Sequence, residues 1–379
     1  MSVSNSTNYY DLGEWTKSNK VYFICTLIIQ WGLKIPVRVF GISTNLLALL
    51  VFQKCRLRDG ISVCFMVLTL SDGICLLTFL LGSLMGLLDM ELQVRPYISL
   101  FYVSYILTFY GVMFYNISTM ITVFLAIQKC CCISLPWNFK SYFSKRRCVA
   151  AVCCIYLSGF ILYIPFTATA FPFVEAFDLT TNSTRLTFAW STIYLNEVFP
   201  VLKAINYISL PLIAEVLVLI SSLILSAKLN ESIKFRNSLS GDSMIDSHSK
   251  QKNESSKLSL AKMDSNNTVI NIEPQKVNTV KSSIQPMSRK ELRATQAVNV
   301  VAILFVIANT PDVILFLVSL LEPEFSALGS YYDLFRVCVE LEDFLHVINL
   351  SVNLFVYLKF NTRFAETFKS FILRRLKNN

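Results

Sequence analysis

Residues 97–127, YISLFYVSYILTFYGVMFYNISTMITVFLAI, run for 31 positions without one charged side chain. A helix of that length exceeds the roughly 30 Å of a bilayer's hydrocarbon core. The polar–apolar alternation of a barrel strand is absent from it, so a spanning helix is the expected form. Working outward, six more apolar stretches follow the same pattern: Leu27–Phe52, Ile61–Leu88, Cys148–Ala170, Val201–Ala227, Ala294–Leu321 and Leu334–Leu358. Composition agrees, with 54% apolar residues, 16% charged and a mean hydropathy of +0.53. Soluble domains carry about 25% charged residues. A soluble enzyme, a disordered chain and a collagen-like fibre are excluded. The expected fold is an all-α membrane protein, a seven-transmembrane helix bundle over 27–358 with a short amphipathic C-terminal helix in 359–379.

Orientation follows from the basic residues. With the N-terminus outside, the inner faces Gln53–Gly60, Lys129–Cys148, Lys228–Arg293 and the tail from Lys359 hold 26 of the 34 Lys and Arg. The short loops alone support an extracellular segment 1–26 and a cytoplasmic tail. The net charge of +9 is therefore a membrane-face charge, and nucleic acid is not an expected partner. The first twenty residues lack a basic start and an apolar core, so no cleavable signal peptide is expected. The sequons Asn5-Ser-Thr and Asn182-Ser-Thr then lie outside as candidate glycosylation sites. Segment 229–290 is rich in Ser, Asn and Lys and poor in aromatics, the composition of a disordered third inner loop. The tail interleaves Phe364, Phe368, Phe371 and Ile372 with Lys and Arg, which suits an anionic inner leaflet. No CxxC, HExxH or Walker-type pattern occurs, and no nucleophile–base pair suggests an enzyme. Most of the eleven cysteines lie in apolar runs or beside basic clusters, where thiols stay reduced.

Gly41-x-x-x-Asn45, Leu70-Ser71-Asp72, Pro136 seven residues past Lys129, Pro211, the pair Phe305 and Pro311, and Asn353-Leu-Phe-Val-Tyr357 followed by Phe364 occur in this order. Together they resemble the motif set of rhodopsin-like G-protein-coupled receptors, and the resemblance covers nearly the whole chain. It departs at Gln128-Lys129-Cys130 in place of Asp/Glu-Arg-Tyr, at Asn309-Thr-Pro311 in place of CWxP, and at Leu354 in place of the NPxxY proline. The usual fourth-helix tryptophan is missing, and Ser104 stands where the outer third-helix cysteine would be. Gly111 replaces the aspartate of amine receptors. This divergent pattern is most similar to gastropod chemosensory receptors and orphan peptide receptors.

The resemblance implies an extracellular small-molecule or peptide ligand, a heterotrimeric G protein, and arrestin as a candidate further partner, at the plasma membrane. It gathers Asn45, Asp72, Ser118, Asn349 and Asn353 into a cluster able to hold Na⁺, or a proton on Asp72. A hydrogen-bonded cluster that only joins helices is the alternative. It places Gln128, Lys129, Glu291 and Tyr357 at the G-protein-coupling switch, with Lys129 and Glu291 as an inner latch. Lysine lacks arginine's planar fork, so the latch is expected to be weak. Helices one and seven are neighbours in such a fold, making Cys25 and Cys338 a candidate disulfide.

The outer ends of the helices are acidic. Asp312 follows the sixth-helix proline, while Glu340, Asp343 and His346 recur at a spacing of three on one face of the seventh helix. With Asn309 and Lys203 they form the candidate ligand-binding set, and a cationic ligand is the physical match. In the alternative, these acids pair with Lys34, Arg38, Lys203 and Arg336. A seven-span transporter or channel, with intramembrane Asp72 and Glu215 marking a path, and a signalling-deficient decoy are the other readings. Internal repeats are absent, which weakens the transporter.

Overall fold

A computed structural model describes residues 20–55, 59–91, 99–134, 143–169, 173–178, 183–188, 191–257, 289–326 and 329–378. Among them are seven helices long and apolar enough to cross a membrane. Helix α1 is Lys20–Lys54, α2 Gly60–Glu91, α3 Leu100–Ser134 and α4 Lys145–Thr169. Helix α5 is a composite that ends in the segment Leu210–Lys257, and α6 is Arg289–Leu321. Helix α7 has two parts, Tyr332–Ser351 and Asn353–Phe360, and the amphipathic α8 is Thr362–Asn378. Strands β1 (Phe173–Asp178) and β2 (Ser183–Phe188) pair antiparallel between α4 and α5, with Phe173 opposite Phe188 and Asp178 opposite Ser183. This hairpin is a local addition to the all-α seven-helix bundle expected from the sequence. Helix α5 also runs on to Lys257, well inside the segment 229–290 read as disordered. Lys228 pairs with Glu231 one turn along that extension, at 2.9 Å.

The bundle is built with apolar side chains outward and polar groups at the centre. Leu157, Ile161 and Ile164 on α4 and Ile213 and Leu223 on α5 are exposed, as lipid-facing residues should be. Asn45, Asp72, Asn116, Ser118, Asn206, Asn309 and Asn353 are buried. A large apolar core joins Phe52, Phe65, Leu68, Ile117, Ile121, Leu125 and Tyr357. Phe364 of α8 is buried against Phe52 and Tyr357, and Lys54 lies 4.1 Å from the centre of the Phe371 ring. The end of the bundle near Lys20 is called the N-side, and the end near Lys359 the C-side.

Among the described residues three stretches are wound as π-helix: Ile28–Lys34 in α1, and Tyr194–Val198 and Ile205–Ser209 in α5. Each ends two residues before a proline, Pro36, Pro200 and Pro211. Proline has no N–H to offer the carbonyl four residues back, and its ring crowds that carbonyl. The turn ahead of it widens, so that Phe199 N–H reaches the Tyr194 carbonyl and Leu210 N–H the Ile205 carbonyl, each five residues back. Each wide turn also rotates its side chains relative to the rest of the helix.

Close approach fixes two seams. A Cβ on Gly41 would stand 2.6 Å from Leu76 Cδ1 and 2.9 Å from Ser351 Cβ, so glycine lets α1 lie against α7. A Cβ on Gly82 would meet Thr108 Oγ1 at 2.8 Å and the Ser104 carbonyl at 3.2 Å, joining α2 to α3 beside the position of the missing cysteine. Gly41→Val should therefore lower the melting temperature of the detergent-purified protein by several degrees, an overpacking loss of about 1–3 kcal/mol. Gly73→Ala, whose Cβ meets only Asn45 Cβ at an ordinary 3.5 Å, should leave the melting curve within a degree or two.

Candidate functional site

Asp72 of α2 is fully buried. Ser118 Oγ of α3 donates to Asp72 Oδ1, and Asn353 Nδ2 of α7 donates to Asp72 Oδ2 at 2.7 Å. Asn349 lines a cavity beside them with Tyr115, Thr119 and Thr122, roomy enough for about one water-sized occupant. Carboxylate, hydroxyl and amide oxygens are hard donors, so the residue set and the space both fit a small hard cation such as Na⁺. Asn45 does not join this carboxylate. Its Nδ2 donates instead to the carbonyls of Leu350 and Gly41, each at 2.9 Å, and Thr44 Oγ1 donates to the Ser351 carbonyl at 3.1 Å. Those α7 carbonyls lie at the interruption of the helix at Val352, which forms although Leu354 stands in place of the NPxxY proline.

On the C-side, Tyr357 is fully buried. Its hydroxyl accepts from Thr69 Oγ1 at 3.2 Å and donates to the Phe65 carbonyl at 3.4 Å, among the rings of Phe52, Phe65 and Phe364. Gln128 Nε2 donates to Cys148 Sγ at 3.3 Å, and its Oε1 is buried without a partner among the described residues. Lys129 is only 3% exposed. Asp59 and Glu291 both act on it electrostatically, and neither bonds directly to it. The expected latch thus brings its two charges within range of one another without an ion pair. Tyr357 belongs to a separate group on α1, α2, α7 and α8.

On the N-side, the π turn of α1 carries Lys34 into the bundle, where its side chain is 2% exposed. Lys34 Nζ is 2.6 Å from Glu340 Oε2 and 2.9 Å from Asp343 Oδ2. Arg38 donates to Ser83 Oγ at 2.6 Å and lies against the Phe79 ring. His346 Nδ1 is 3.0 Å from Glu342 Oε1, and its ring packs on Tyr115. Tyr115 donates in turn to Asn309 Oδ1 at 2.6 Å. Thr310 Oγ1 donates to Glu215 Oε1 at 2.7 Å, joining α6 to α5. Glu342, Asp343 and His346 offer three metal-ligating atoms within 4.8 Å of one another, but Lys34 and the Glu342–His346 pair account for these groups.

Asp312 is half-buried with Glu342, His346, Asp343 and Glu215 as its electrostatic neighbours, and no hydrogen bond joins it to the described residues. Of the predicted ligand set, the structure therefore commits Glu340 and Asp343 to Lys34, Asn309 to Tyr115 and His346 to Glu342, leaving Asp312 open. The Lys203 side chain, Asn5 and Asn182 lie outside the described residues. Cys25 and Cys338 are both free thiols, so the link considered from the sequence is not made. Although α1 and α7 touch, Lys34 ties them here by charge. Sequence reasoning missed Glu342 and Tyr115. The spacing of four between Glu342 and His346 was the available signal for the first; nothing in the pattern marked the second.

A family model described as serpentine type 7TM GPCR chemoreceptor Srx matches residues 35–239, more than half of the chain. No curated protein matches. The narrower likeness, to rhodopsin-like receptors of gastropod or orphan-peptide type, rests on the motifs alone.

Lys34 gives a direct test of the N-side geometry. Lys34→Met leaves two carboxylates facing a buried position, and breaking such a pair costs about 3 kcal/mol or somewhat less where one partner is solvated. Asp343, with 52% of its side chain exposed, keeps the loss at the lower end. The melting temperature should fall by several degrees, and the Lys34→Met, Glu340→Leu, Asp343→Asn triple variant should recover most of it.

Proposed function

Because the chain belongs to the serpentine 7TM chemoreceptor family Srx, we propose that it binds an extracellular ligand among α3, α5, α6 and α7 and activates a heterotrimeric G protein through movement of α3, α6 and α7. In this reading the N-side faces outward from the plasma membrane, consistent with the basic residues at the C-side. Arrestin is a further partner, and Asn5 and Asn182 carry glycans. The observation that carries the ligand assignment is Asp312. It is an acid inside the bundle mouth that accepts no hydrogen bond from the described residues, beside a Glu342–His346 pair. A ligand with a cationic group satisfies that carboxylate and adds attraction from Glu342.

Ligand at this position touches α6 just past Pro311 and, through His346 and Tyr115, both α7 and α3. A change there shifts a two-state bundle only by the difference in affinity for its two states. At the C-side, Lys129 feels Glu291 by field rather than by contact, so this one pair adds little resistance to the shift. Asp72, Ser118 and Asn349 would hold a Na⁺ ion, which would supply positive charge beside a carboxylate that joins α2 to α3 and α7 and would favour the inactive packing.

Two measurements test this reading. In a heterologous cell with surface expression matched, the wild-type receptor should show ligand-free G-protein activation that Lys129→Ala abolishes. Glu291→Ala should raise it by no more than about fivefold, the reach of an unbonded pair worth up to about 1 kcal/mol. In membranes, Na⁺ should depress the basal signal of the wild type and leave Asp72→Asn unchanged; equal sensitivity of the two proteins would remove the ion from the mechanism.

A further inference from the structure

A cavity of about 110 Å³ opens between α3 and the composite part of α5, lined by Tyr105, Thr108, Phe109, Val112, Phe199, Leu202 and Asn206. Its walls are aromatic and braced from behind. Phe109 stacks on Phe166 and meets Tyr163 edge-on, while Tyr194 packs between Phe166 and Phe199. Tyr105 and Tyr194 share a hydroxyl–hydroxyl hydrogen bond at 3.3 Å. These rings hold one another in place, so the walls do not collapse into the space. Both contributions from α5 depend on its wide turns. Phe199 directly follows the first, and Asn206 lies within the second.

Asn206 is the polar group of interest. It is buried, and its Oδ1 accepts from Asn116 Nδ2 at 2.9 Å; Asn116 Nδ2 also donates to the Tyr163 hydroxyl at 3.1 Å. That interaction fixes the amide's orientation and leaves its NH₂ as an accessible donor, without a partner among the described residues, in a mostly apolar chamber. A pocket of this kind selects by shape and by one bond. Apolar rings fill the space, and a donor without a partner among the described residues rewards a ligand acceptor placed against it.

We propose that this cavity binds a small neutral ring molecule of about six to eight heavy atoms that carries one hydrogen-bond acceptor, received by the Asn206 amide. Size sets the upper limit: an enclosed apolar cavity of about 150 Å³ accommodates benzene, so this smaller space takes the acceptor and part of one ring, the remainder lying in the opening beside the exposed Thr108 and Phe199. Charge sets the second limit: among the described residues no carboxylate lines this cavity, so an ammonium group gains nothing from them. The proposal rests on the receptor reading only for its signalling consequence; binding itself stands apart from it, and from the cation assigned to Asp312.

The test uses the purified full-length chain in nanodiscs, with benzonitrile, its isosteric hydrocarbon phenylacetylene, and benzylamine as probes. Affinity is read by ligand-dependent thermal stabilisation. Benzonitrile should bind about threefold to tenfold more tightly than phenylacetylene, the worth of one net hydrogen bond. Asn206→Leu should bring benzonitrile down to the hydrocarbon's affinity while leaving phenylacetylene unchanged, and Val112→Phe, which fills the cavity without removing a polar group, should abolish both. Equal binding of the two isosteres by the wild type, or an advantage for benzonitrile that survives Asn206→Leu, overturns the proposal. So does benzylamine binding that is lost with Val112→Phe. Benzonitrile binding without any G-protein response upholds the cavity and counts against the signalling reading instead.

Discussion

Helix α7 is interrupted at Val352, and the side chains of α1 take up the carbonyls exposed there. Most of the polar architecture follows from that contact. In hydrocarbon an unsatisfied carbonyl costs several kcal/mol, so the interruption exists only because Thr44 and Asn45 are within reach. They are within reach only because Gly41 removes the side chain that would hold the helices apart. The break then sets Asn349 and Asn353 on either side of Val352, toward Asp72, and carries Tyr357 to Thr69. Nearer the N-side, Lys34 clasps Glu340 and Asp343 of the same helix. Helix α1 is thus a brace along the length of α7, and the polar centre of the bundle stands on it.

Proline works differently in this bundle from its usual role as a breaker. Pro36, Pro200 and Pro211 each follow a widened turn, and the widened turns carry Lys34, Tyr194 and Asn206. Pro165 and Pro311 lie inside helices without such a turn. A side chain that a regular helix would send elsewhere is brought inward, and no loop inside the membrane is needed to do it. Such irregular turns recur at functional positions in proteins, and here they serve both the α1–α7 clasp and the cavity between α3 and α5.

The seven helices were legible because each must be apolar over a fixed length, a demand that leaves its mark on every residue of the span. Asp72, Ser118 and Asn353 were legible as a group because the motif order fixes where each lies along its helix. Asn45 belongs to the same motif set yet serves the α7 carbonyls, a distinction of a few ångströms that spacing does not encode. The N-side acids were visible, but their allocation was not. Whether Lys34 or a ligand answers Glu340 depends on a turn of π-helix, which rotates one side chain. The β-hairpin was hidden for a related reason, since its two strands of six residues carry a pattern too short to stand out from an ordinary loop. Nothing in the sequence pattern pairs Asn116 with Asn206; their direct hydrogen bond, and the one from Asn116 to Tyr163, arise only from tertiary packing.

All eleven cysteines are free thiols. Where related folds are expected to staple the top of the third helix to the loop beyond the fourth, this chain has Ser104 packed into a seam of glycines on α2. The close approach of α2 and α3 at Gly82 and Gly86 therefore stands where a covalent staple would. What holds these two helices together is the fit of small residues over one another, a contact that is made or lost with the packing itself.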